Sequence, residues 1–136
     1  MDAQQELYTE ILTGLMAEFG KDNVYDGRLP PEGTPYPFVY MGDVTDSDDT
    51  SVKDRLWGTT ETWGTTAIRV HVWHNRPTER GTVSDIMTRI KYMLRRICST
   101  QGYTWDLRSL TSNVLPDNTT KTPLLHGVVD ATYKHF

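Results

Sequence analysis

Apolar residues recur along the chain with two different periods, and each change of period marks a new element. From Ala3 to Phe19 they fall at Leu7, Tyr8, Ile11, Leu12, Leu15 and Phe19, one stripe of an amphipathic α-helix. Asp2 with Gln5 resembles a capping box at its start, and Gly20 suits its end. A second stripe, Val83, Ile86, Met87, Ile90, Met93, Leu94 and Ile97, predicts a helix over about 83–97 with Thr82 as its cap. Asp85 and Arg89 are spaced as a helical ion pair, and Arg95 and Arg96 lie where the helix dipole favours cations.

Elsewhere the period shortens to that of a strand. The runs Pro37–Val44, Gly64–Asn75, Tyr103–Leu110 and Leu124–Phe136 are rich in β-branched or aromatic residues and bounded by turn formers. The order of helix, strands, helix, strands predicts an α+β domain, a mainly antiparallel sheet packed by two amphipathic helices over residues 1–136. In the last strand Val129, Ala131 and Tyr133 alternate with Asp130, Thr132 and Lys134, so one face is packed and the other is wet.

The same alternation decides how to read the stretch Arg69–Pro77, which carries two histidines around a tryptophan. Ile68, Val70 and Val72 point one way, and Arg69, His71 and Trp73 the other. His74 falls with Ile68, so the His71 and His74 rings diverge and do not chelate one ion. Arg69, His71 and Trp73 remain as a stripe off the core, and arginine with tryptophan is a pairing enriched at interface centres. The plain alternative is one exposed tryptophan packed under a loop.

Charge enters next. With 18 acidic and 14 basic residues the formal charge is -4, and no basic block offsets it, which argues against binding driven by phosphate neutralisation. The aspartates Asp43, Asp46, Asp48 and Asp49 open a segment, about 43–57, expected to be a flexible acidic loop. An EF-hand counted from Asp46 would put Ser51 at the required glycine and Trp57 at the closing glutamate, so the calcium pattern fails. The single cysteine, Cys98, excludes an internal disulfide framework. Asn118-Thr119-Thr120 reads as a turn, and the acidic N-terminus does not read as a signal peptide. No apolar run reaches bilayer-spanning length. No P-loop, nucleophile elbow or zinc-protease helix occurs, and His126 reads as a strand-edge residue. These observations predict no catalytic, metal or cofactor site. Two classes stay open at this point, a monomeric binding module and a divalent-metal enzyme using the acidic loop, and a metal-dependent thermal shift would reveal the second.

Taken in order, Val24-Tyr25-Asp26, the proline-rich stretch into Pro37-Phe38-Val39, the strand ending Val72-Trp73, the helix and the closing His126-Gly127-Val128-Val129 resemble the tail completion, or tail-to-head joining, proteins of long-tailed bacteriophages. The segment Arg55–Gly64, with Trp57 and Trp63, departs from that pattern. The resemblance implies a non-enzymatic virion protein forming a homo-oligomeric ring, a hexamer, at the head-proximal end of the tail. Its implied partners are the tail tube protein and the head completion protein, with DNA passing through the lumen without specific binding and no membrane involved. An acidic loop facing that lumen would repel the passing DNA. The implied location is the neck of the virion, and the host cytoplasm during assembly.

Overall fold

The computed structural model of the chain describes residues 2–27, 30–48, 64–119 and 121–135. Helix α1 spans Ala3–Phe19 and α2 spans Arg80–Arg95. Five strands, β1 (Val24–Asp26), β2 (Phe38–Asp48), β3 (Gly64–His74), β4 (Trp105–Asp117) and β5 (Leu124–His135), form one sheet in the order β1-β2-β3-β5-β4. Among the described residues only β1 with β2 is parallel; the three other pairings are antiparallel, so the fold is α+β with a mainly antiparallel sheet.

Helix α1 occupies the predicted span. The Asp2 carboxylate accepts from the Gln5 N–H at 2.8 Å, while the Gln5 side chain turns to Thr9, so the cap is one-sided. Helix α2 starts and ends earlier than its apolar stripe suggests. Glu79 stands at its N-cap, Thr82 lies inside the first turn, and Ile97 packs on the core from beyond the end. Arg89 does not turn to Asp85. Its Nε donates to Glu18 Oε1 at 2.8 Å and its Nη2 to the Glu18 carbonyl at 2.9 Å, which ties the middle of α2 to the end of α1.

Both helices cover one face of the sheet. Leu7, Ile11 and Leu15 of α1 and Val83, Ile90 and Leu94 of α2 are fully buried against Met41, Val70, Val72 and Val129. Burial of each such side chain stabilises the fold by about 1.5–3 kcal/mol. Gly127 makes room for α2, because a Cβ there would lie 2.8 Å from Val83 Cγ1 and 2.9 Å from Met87 Sδ. Tyr133, buried beneath the end of α2, donates its hydroxyl to the Leu94 carbonyl at 2.6 Å.

Three expectations are corrected here. The acidic loop does not begin at Asp43: β2 continues through Asp48, with Asp43 opposite Arg69, Asp46 opposite Thr66 and Asp48 opposite Gly64. Gly42 is the extra residue of a bulge, and the polar start of β3 supplies partners to an aspartate-rich strand, as where the Thr66 hydroxyl donates to Asp46 Oδ1 at 2.9 Å. Asp49 and the rest of the expected loop, with Trp57 and Trp63, lie outside the described residues. Strand β4 runs seven residues past its expected end at Leu110, through Thr111–Asp117. His126 is no edge residue, since β5 lies between β3 and β4.

Candidate functional site

Strand parity sends Arg69, His71 and Trp73 to the sheet face opposite α1 and α2, and the register of β3 with β5 decides what they meet there. Arg69 pairs with Asp130, and Trp73 with His126. The Arg69 Nε donates to Asp130 Oδ1 at 2.8 Å, with both side chains about half exposed. Trp73 and His126 stack with ring centroids 3.8 Å apart and planes 6° from parallel. His71 meets His126 edge to edge, ring centroids 4.9 Å apart and planes 12° from parallel, with its Nδ1 2.7 Å from His126 Nε2, so one ring donates an N–H to the lone pair of the other. Tyr40, opposite His71 on β2, extends the row, with its ring 5.5 Å from that of His71.

The result is a row of four rings, Tyr40, His71, His126 and Trp73, laid across three strands. Packed rings on a rigid sheet lose little conformational entropy when a partner covers them. At its Trp73 end the row opens into a groove of about 570 Å³, bordered by Pro31, Pro35, Tyr36, Phe38 and Leu124. Among the described residues Glu32 and Asp117 bring charge to the groove, and the Asp117 carboxyl is held below its ordinary range by the hydroxyl and N–H of Thr119. The Trp73 indole N–H is shielded and has no acceptor among the described residues. Leu115, opposite His126 on β4, is about half exposed on the same face.

The second histidine of the opening stretch is placed elsewhere. His74 is buried on the helix side, its Nε2 3.3 Å from Glu79 Oε1. The divergence of His71 and His74 therefore follows the strand period. Tyr40 and His126 are the members of the row that sequence reasoning missed. What was missing for His126 is the β3–β5 register, which no local pattern supplies. The same holds for Asp130 as the partner of Arg69.

Of the acidic residues, Asp43, Asp46 and Asp48 lie along β2, the strand next to β3, with Asp43 directly opposite Arg69. Among the described residues no three His, Cys, Asp or Glu side chains converge as metal ligands. No described helix is long and apolar enough to cross a membrane.

No family model and no curated protein matches the sequence. Solved structures do share the fold. A chain of a structure titled "Virion of native gene transfer agent (GTA) particle" aligns with a TM-score of 0.59 over 98% of this chain and 95% of that one, at 18% identity. A second solved chain aligns with a TM-score of 0.61 over 97% and 92%, at 8% identity. At such identities the likeness speaks to the fold alone.

Proposed function

We propose that this chain is a structural subunit of a phage or phage-like virion, and that it acts without catalysis as a ring at the head-proximal end of the tail. There it completes the tail tube and presents a surface to the head connector. The observation that carries the reading is the end-to-end likeness to a chain of a gene transfer agent virion, in which neither chain has a large part left over. The order of sequence features resembling tail completion proteins supports the position within the particle.

On this reading the ring row of Tyr40, His71, His126 and Trp73, with Arg69 beside it, is a surface that a neighbouring subunit or connector covers. A row of packed rings flanked by a cross-strand ion pair has the composition of an interface centre. The hexamer, the tube protein and the head completion protein as partners, the neck location and the passage of DNA through the ring belong to this proposal. The test is deletion of the gene in its parent genome, followed by electron microscopy of the lysate. Filled heads and unjoined tails of irregular length are expected; normally joined particles would overturn the reading.

A further inference from the structure

The two edges of the sheet differ in a way that suits them to each other. Among the described residues β4 is paired along one side only, with β5, and its 13 residues form one margin of the sheet. Proteins commonly blunt such an edge with charge, proline or shortness. Ser109–Leu115 carries no charged residue and no proline, and most of its side chains are exposed. Its flank is basic, with the Lys91 ammonium donating to Ser112 Oγ at 3.2 Å.

The opposite margin is uneven. Strand β1 covers only Val39–Met41 of β2, so Val44–Asp48 has, among the described residues, a strand partner on the β3 side alone. This margin is acidic, with Asp26 ending β1 and Asp43, Asp46 and Asp48 along β2. The registers also align the two charges across the sheet. Ser112 is opposite Val129, Val129 opposite Val70, Val70 opposite Met41, and Met41 opposite Asp26. Lys91 at one edge therefore stands at the level of Asp26 at the other.

We infer that β4 of one copy adds as an antiparallel strand to the β1–β2 edge of the next copy, so that subunits join through backbone hydrogen bonds. Three successive antiparallel pairings leave β4 running opposite to β2. Copies related by rotation keep that orientation, so the meeting edges are antiparallel, the somewhat more stable of the two pairings. A two-fold pairing of β4 with itself about Ser112 is disfavoured, because it brings two Lys91 ammonium groups together. The inference rests on the ring reading above and adds the edges through which the ring closes.

The test uses the full chain assembled on tail tubes. Amide exchange is followed across Ser109–Leu115 and Val44–Asp48 in the free subunit and in the assembly, with subunit stoichiometry read by mass photometry. Exchange in both segments is expected to slow at least tenfold on assembly. Thr111→Lys, an exposed edge change, is expected to weaken assembly at least tenfold with an unchanged melting curve. Lys91→Glu is expected to weaken it similarly and to be rescued by Asp26→Lys in the same chain, with melting curves confirming that both variants fold. A ring that forms while β4 amides exchange as in the free subunit overturns the edge pairing and leaves the ring reading standing. A chain that forms no ring with tubes overturns both.

Discussion

Strand β3 presents two faces built from adjacent residues, and they do opposite things. Ile68, Val70 and Val72 are at most 2% exposed and lie under two helices. Arg69 is exposed, while His71 and Trp73 are half-buried, Trp73 in the groove it shares with the loop residues Pro31, Pro35 and Tyr36. The helix face is closed by aliphatic packing that tolerates neither charge nor added volume. The open face is filled by ring stacking and one ion pair, contacts that hold side chains in place yet leave their surface available. A single strand thus separates the work of folding from that of recognition by the alternation of its residues.

The sharpest way to break this division is to put a charge on the helix face. Val70→Asp would bury an unpaired carboxylate among Met41, Val129 and the helices, at a cost of about 4 kcal/mol or more. Circular dichroism is expected to show an unfolded chain at room temperature. A cooperative melt close to the wild type would mean that the core face had been misassigned.

Trp73→Ala makes the matching change on the open face. Loss of the stack with His126 is expected to lower stability by only about 1 kcal/mol. Association with the covering partner is expected to weaken by about 2 kcal/mol or more, as for an aromatic anchor. The readouts are a melting curve and a tail-joining assay on the same variant. Melting as early as Val70→Asp would place Trp73 in the core and remove the interface reading.

These two variants also show what the sequence made legible. Strand period alone separated Val70 from Trp73 and His71 from His74, because side-chain direction in a strand is a local property. Helical period located α1 for the same reason. What required the fold was everything set by pairing: that His126 completes the ring row, that Asp130 answers Arg69, and that Asp43–Asp48 forms a strand. Asp43, Asp46 and Asp48 have poor strand propensity, and their conformation is imposed by the β3 partner. Thr111–Asp117 was missed likewise, since a margin strand buries little and shows almost no apolar alternation.

A smaller effect is expected at Tyr133, the polar end of the helix face. Burial pushes its phenol above the ordinary value near 10. The folded state therefore resists ionisation that the unfolded chain undergoes freely, so this contribution is complete below pH of about 10 and declines as pH rises further. Tyr133→Phe removes the hydrogen bond to the Leu94 carbonyl and is expected to cost about 1 kcal/mol at neutral pH. Its stability should then fall less steeply than the wild type above that pH, as followed by urea unfolding. Equal slopes would show that the phenol reaches water.

The least effect, and the finest test of the contrast, belongs to the ion pair of the open face. Arg69 and Asp130 meet at 2.8 Å but remain about half exposed, so solvent screens their attraction. A double-mutant cycle with Arg69→Ala and Asp130→Ala is expected to give a coupling of roughly 0.2–1 kcal/mol in the free subunit, shrinking further at high salt. If the face is covered in the ring, the same cycle measured on association should give a larger and less salt-sensitive coupling, because the pair is then desolvated. A coupling above about 2 kcal/mol in the free subunit would mean that this face is already dry, and the division between folding and recognition on β3 would fail at the residue that defines it. A small coupling in both states would place the covering partner elsewhere, over the Trp73 groove and clear of Arg69.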